Sequence, residues 1–238
     1  MLVHYGKEGV LKYLSHLELV RALERSFRRA RIEINVSGGF NPRSKISYGP
    51  ALPVGTGSRS EYLVADIKND ICEDEIIDRI SRVLPKGLRI HRAKYIPQKH
   101  ASLVSLVQGF SYRVTVEAGA RTGELPAYIE RLLAEEQLLV IHKGSEKWVE
   151  TKVSVLGWTV EQASGNTAIF NMLLSAGDKN SVRPEVLIAK LAEMAPETGW
   201  IEVLSIERLE QYVNREDPLQ DIYNFYESVT MGSECAKS

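Results

Sequence analysis

Glu61-Tyr62-Leu63-Val64-Ala65-Asp66-Ile67, followed by Glu73-Asp74-Glu75-Ile76-Ile77-Asp78-Arg79-Ile80-Ser81-Arg82-Val83-Leu84 and then by Leu88–Ile96, sets the fold class. The first piece reads as a strand. The second has helical spacing, with Ile76, Ile77, Ile80, Val83 and Leu84 on one side. Pro85-Lys86-Gly87 ends that helix, and Leu88–Ile96 returns as a strand. Upstream, Leu2–Tyr5 reads as a short strand, Leu17–Arg31 as a helix and Ile32–Val36 as a strand. The order is β-α-β-β-α-β.

The second half repeats it. Phe110–Val116 alternates through Tyr112, Val114 and Val116, as a half-buried strand does. Glu124–Glu136 is helical, Leu138–Ile141 and Trp148–Val155 read as strands or a hairpin arm, and Thr167–Leu174 is another strand. Pro184 stands near the start of the helix Glu185–Met194, where its missing N–H costs little, and Trp200–Leu209 closes the unit. The expectation is an α+β protein of two tandem ferredoxin-like domains, over residues 1–98 and 108–213. One larger α+β sheet is the alternative. Residues 214–238 form a tail in which Leu219, Ile222, Tyr223, Tyr226 and Val229 recur at helical spacing. That helix docks either on a partner or on its own chain, and Met231–Ser238 is expected to be disordered.

Of 238 residues, 44% are hydrophobic and 26% charged, which suits a well-cored soluble protein. No apolar run approaches the ~20 residues that span a bilayer, and the N-terminus is too poor in apolar residues for a signal peptide. Cys72 and Cys235 are too few for a disulfide framework, so a cytoplasmic setting is expected. Two thiols are also too few to hold an iron–sulfur cluster alone.

Charge is uneven. Residues 1–60 hold ten Lys and Arg against four Glu, a net of +6, in a chain whose total is −1. A basic surface on an acidic protein points to a localised anion site, and nucleic acid is the commonest large anion. On the helix beginning near Ser15, Leu17, Val20, Leu23, Phe27 and Ala30 fall toward one side. Arg21, Arg25 and Arg28 fall on another, with Arg29 at its edge. Guanidinium groups suit phosphate because two donors engage two oxygens at once. The competing reading is a solvated face on which Glu18 and Glu24 pair with the arginines. Ser15-His16-Leu17-Glu18 fits a capping box, so Ser15 is structural. His16, in the first turn beside the positive helix end, is either a packed histidine or a candidate base.

Ser37-Gly38-Gly39-Phe40-Asn41-Pro42-Arg43-Ser44-Lys45 is a turn cluster. Its glycines are suited to positive φ and exposed amides, and with Arg43 and Lys45 it makes a candidate phosphate cradle. The spacing fits neither a P-loop nor a dinucleotide fingerprint. Phe40 and Tyr48 either stack on unpaired bases or anchor the loop to the core. No Cys/His quartet suggests a metal, and no catalytic set assembles.

Tyr13-Leu14-Ser15-His16-Leu17-Glu18-Leu19, Arg21, Glu24-Arg25, Arg28-Arg29-Ala30, Ser37–Pro42, Lys45-Ile46-Ser47, Leu52-Pro53-Val54-Gly55, Ser58 and Glu61-Tyr62 resemble the radical-SAM-linked protein family. That is a domain of unknown function found beside, or fused C-terminally to, radical SAM enzymes. The resemblance is specific within the first 65 residues; Arg43 departs from it, family members often having histidine there. It implies an accessory protein without a cofactor of its own, whose partner holds the iron–sulfur cluster and cleaves S-adenosylmethionine. Family members tend to be encoded near E/G-type ribonucleases and ribosomal protein genes, which tilts the expected substrate toward RNA.

The expected function is therefore a non-catalytic RNA-binding partner of a radical SAM enzyme, presenting tRNA or rRNA for modification, with no membrane or DNA partner. Two alternatives are an RNA endonuclease using His16 with Arg25 or Arg28, and a scaffold docking an acidic protein. The tandem arrangement also resembles the repeat-processing endonucleases of CRISPR systems. Their late glycine-rich loop is matched here only by Glu197-Thr198-Gly199, so their cleavage activity is not carried over.

Overall fold

A computed structural model describes the whole chain except residues 39, 120–121, 143, 163–165, 178–179, 195–200 and 236–238. It is an α+β protein of two compact units, one formed by residues 1–107 and 220–238 and the other by residues 108–219.

In the first unit the chain runs β1 (Leu2–Lys7), a 3-10 turn (Gly9–Tyr13), α1 (His16–Arg29), β2 (Ile46–Tyr48), β3 (Thr56–Ala65), α2 (Glu73–Ser81), β4 (Leu88–Lys94) and α3 (Leu103–Leu106). The strands lie in the order β4-β1-β3-β2, every pairing antiparallel. Val3, Tyr5, Leu63 and Ala65 share a face and pack with Leu19, Leu23, Phe27, Ile76 and Ile80 of α1 and α2. At about 1.5–3 kcal/mol per fully buried large apolar side chain, this layer is the unit's main source of stability.

The expected strand Ile32–Val36 is instead two isolated bridges, Ile34 to Ile67 and Val36 to Ser44. The segment divides its bonds between two neighbours: the Asn35 amide donates to Asp66 O while Asn35 O accepts from the Lys45 amide, so no continuous ladder forms. β4 stops at Lys94 rather than Ile96 because the Glu73 carboxylate takes the Tyr95 amide at 2.7 Å.

The second unit runs β5 (Gly109–Ala118), α4 (Leu125–Ala134), β6 (Gln137–His142), β7 (Ser145–Glu150), α5 (Thr151–Ser154), β8 (Val155–Gln162), β9 (Thr167–Ser175), α6 (Pro184–Met194) and β10 (Ile201–Tyr212). Its strand order is β10-β5-β9-β8, again antiparallel, with β6 and β7 as a separate hairpin. Tyr112, Val114, Val116 and Ala118 alternate inward along β5. Trp148–Val155 is not one strand. The chain turns through α5, where Thr151 and Ser154 are buried and the Thr151 amide donates to Glu136 O.

The last helix, α7 (Ile222–Cys235), belongs to the first unit and takes in Met231–Cys235, which were expected to be disordered; the rest of that expected segment, 236–238, lies outside the described residues. Tyr223 stands beside Arg92, and Glu227 pairs with Lys94 at 3.6 Å, so the helix is held on β4. No described helix is long and apolar enough to cross a membrane.

Candidate nucleic-acid interface

The basic helix begins where the capping box places it. The Glu18 amide donates to Ser15 Oγ at 3.3 Å, and the Ser15 amide donates to Glu18 Oε2 at 2.8 Å. The Ser15 hydroxyl, which donates to the same carboxylate oxygen at 2.7 Å, and then the Ser15 amide hold the Glu18 carboxyl below its ordinary range, with Arg21 a lesser influence. Glu18 is thus committed mainly to the cap.

The buried face of α1 is Leu19, Ala22, Leu23, Ser26 and Phe27, continued by Ala30. Leu17 departs from the expected stripe, being 57% exposed, and Val20 is half-buried. The spacing explains this, since at about 100° per residue Leu17 lies across the helix from Leu19 and Ser26; Ser26, on the buried face, satisfies its own hydroxyl on Ala22 O at 2.9 Å. Arg21, Arg25, Arg28 and Arg29 are all exposed. None of them makes an ion pair among the described residues. Arg28 and Arg29 also complement the negative end of the helix dipole, a structural role that leaves their outer N–H groups open to a ligand.

Beyond α1 the backbone turns through Arg31, at φ 55°, and a pocket of about 370 Å³ opens there. Arg28, Arg31, Lys68, Asn35 and Ser44 line it, together with Glu24 and Glu33. Lys68 is paired with Glu33 at 3.5 Å. The structure therefore brings the end of the arginine helix and the base of the glycine loop to one concavity. Arg31, Asn35 and Lys68 are brought together by long-range pairing, the Ile34–Ile67 bridge and the Lys68 amide donating to Glu33 O at 2.9 Å, for which the local sequence has no signal.

The loop differs from an amide cradle. The Ser37 amide donates to Arg43 O at 2.8 Å, and the Arg43 amide to Ser37 Oγ at 3.1 Å, so both N–H groups are spent within the loop. Gly38 does not have a left-handed φ, and a Cβ there would meet nothing within 4 Å. Gly39 lies outside the described residues. Phe40 is wholly exposed, and Asn41, Pro42 and Arg43 are exposed beside it.

Tyr48 resolves the other way. Its ring meets the edge of His16 at 5.7 Å, its hydroxyl is buried without a hydrogen bond, and burial pushes the phenol well above its usual range. Packed against the core, it is an anchor and not a stacking platform. Lys45 pairs with Asp66 at 3.6 Å and faces a different cleft, of about 520 Å³, lined also by Ser47, Gln98 and His100. His16 is exposed at the start of α1, its ring against Tyr48. Among the described residues no three His, Cys, Asp or Glu gather as a metal site would need.

One pair of half-buried histidines was not expected from the sequence. His4 stacks on Tyr62 at 4.7 Å and lies 5.0 Å from the His91 ring. Burial, then the charges of His91 and Arg92, push His4 down to about 3.

Comparison with known proteins places the chain. Residues 1–184 match the model of a family described as uncharacterized proteins conserved in bacteria, DUF2344. The chain belongs to this family. No curated protein matches the DUF2344 chain. Solved structures share its fold, two of them as follows. One is from an H/ACA RNP bound to a substrate RNA containing 2'-deoxyuridine, with TM-score 0.50 and 9% identity over 99% of this chain and 55% of that one. The other is from a Cbf5-Nop10-Gar1 complex, with TM-score 0.51 and 9% identity over 99% of this chain and 56% of that one. The DUF2344 chain thus spans just over half the length of these structural relatives.

Proposed function

We propose that this DUF2344 protein is a non-catalytic RNA-binding partner of a radical SAM enzyme, presenting tRNA or rRNA for modification. The observation that carries the reading is the unpaired arginine face of α1, Arg21, Arg25, Arg28 and Arg29, leading into the cationic pocket of Arg28 and Arg31. Those guanidinium groups take the phosphate backbone, and Phe40, held out in water by the closed Ser37–Arg43 loop, stacks on an unpaired base. One of the structural relatives comes from an RNP bound to a substrate RNA, which is in keeping with this role. We read both units as ferredoxin-like, because in each the first strand lies between the third and the last. The hairpin β6–β7 with α5 is then an insertion in the second. The radical SAM partner rests on the resemblance carried by the first 65 residues.

Fluorescence anisotropy of a labelled single-stranded RNA tests the reading. Affinity should fall with salt by about 0.7 log units per log unit for each phosphate neutralised. Arg25→Glu with Arg28→Glu should cost at least about tenfold and flatten the slope, while Phe40→Ala should cost about 1–3 kcal/mol without changing the slope. A salt-independent titration, or equal affinity in the arginine variant, would sink the RNA role. The RNA should stay intact throughout. Copurification with the radical SAM enzyme that persists after ribonuclease treatment tests the partnership separately.

A further inference from the structure

A second surface of the basic unit is apolar. Val10, Tyr13, Leu17 and Val54 are 79%, 62%, 57% and 61% exposed. Single exposed apolar residues need no explanation, but four on adjoining segments do. A 3-10 turn sets Val10 and Tyr13 one above the other. The Gly55 amide donates to Lys12 O at 2.9 Å and holds the Val54 turn against them, while Leu17 lies in the first turn of α1. Lys12, over the Tyr13 ring at 5.1 Å, and Arg21 edge this patch with positive charge. Glu8 is also close in sequence, and Glu18 is held by its cap.

The other unit carries a surface of opposite character. Leu139 pairs with Trp148 and Ile141 with Glu146 across the β6–β7 hairpin, so the four share one face. Ile141 and Trp148 are 69% and 62% exposed. Between this hairpin and α6 runs a groove of about 300 Å³ whose carboxylates are Glu146, Glu185 and Glu193, against Lys190, which is paired with Glu193 at 2.7 Å. Charge follows the same division. Residues 108–219 hold seventeen Asp and Glu against eleven Lys and Arg, a net of −6, which leaves +5 on the first unit.

We propose that the two surfaces bind each other between molecules: the cation-edged patch Val10–Tyr13–Leu17–Val54 of one copy docks on the acid-rimmed hairpin groove of a second. The contact is head-to-tail, so each molecule retains one open patch and one open groove. Apolar area supplies the affinity and the opposed charges set the pairing. Arg21 belongs to both surfaces, but Arg25, Arg28 and Arg29 lie outside the patch and none of Tyr13, Leu17, Ile141 and Trp148, the residues substituted in the test, belongs to the RNA face, so the two readings fail separately.

Sedimentation equilibrium over about a hundredfold range of concentration tests it. The wild-type mass should rise above the single-chain 26.7 kDa and fall back with salt. A patch variant, Tyr13→Glu with Leu17→Glu, and a groove variant, Ile141→Glu with Trp148→Glu, should each associate at least about tenfold more weakly. Their equimolar mixture should form a two-chain species and stop there, because one intact patch and one intact groove remain. Thermal melts matching wild type establish that each variant is folded; a variant that melts early is replaced by Tyr13→Ser or Trp148→Ser. A single-chain mass at every wild-type concentration overturns the proposal. So does undiminished association of either folded variant, or a mixture that stays monomeric.

Discussion

At the scale of single residues, His4 gives the protein an acid-sensitive position. Its ring is stacked on Tyr62, both ring nitrogens are buried, and burial pushes it down to about 3. Above the ordinary histidine range near 6.5 the ring is neutral both folded and unfolded, so it imposes no pH dependence. As pH falls from about 6.5 toward 3 the unfolded chain takes up a proton that the folded one refuses. Stability should then drop by up to about 1.4 kcal/mol per pH unit for this group. Urea unfolding at stepped pH values should show the drop in wild type and a shallower one in His4→Phe. Equal slopes would mean that the ring is hydrated. Tyr48 and Phe40 make the complementary point, since two aromatics flanking one loop have opposite fates, one packed under α1 and the other wholly in water.

At the scale of elements, α1 depends on its first turn. Ser15 accepts from the Glu18 amide, and Glu18 accepts in return from the Ser15 amide. Replacing Ser15 with Ala should cost about 1 kcal/mol, within a range of about 0.5–2, and release the Glu18 carboxylate toward Arg21. Chemical denaturation measures the first effect. The second should appear as a rise in the Glu18 carboxyl pKa by NMR titration. No change in either would leave the helix supported by its buried face alone. That face was largely readable in advance: Leu23, Phe27 and Ala30 fall inward as their spacing indicates. Leu17 was misassigned: at about 100° per residue it stands across the helix from Leu19 and Ser26, so its own position turns it outward.

At the scale of the whole molecule, the first unit is discontinuous, its residues 1–107 joined by 220–238 after the chain has built the second unit. Ile222 and Tyr226 are buried on α7. Ending the chain at Leu219 should destabilise the first unit by about 3–6 kcal/mol, from two buried side chains at about 1.5–3 each. Hydrogen exchange should show lost protection in β1, β3 and β4 with β5 and β9 unchanged. Uniform loss, or none, would contradict that local effect.

Much was decided by short-range physics, in which capping, alternation and charge density join residues within a few positions of each other. The sequence alone therefore located the start of α1 at Ser15, the inward set Tyr112, Val114 and Val116 of β5, and the concentration of arginine on one helix. Partner choice was decided only by tertiary structure. Lys45 meets Asp66, Lys68 meets Glu33, and Arg28 shares a pocket with Ser44 because β3 returns beside the segment after α1. Such meetings depend on which distant segments the packed sheet brings together, and no local pattern records them.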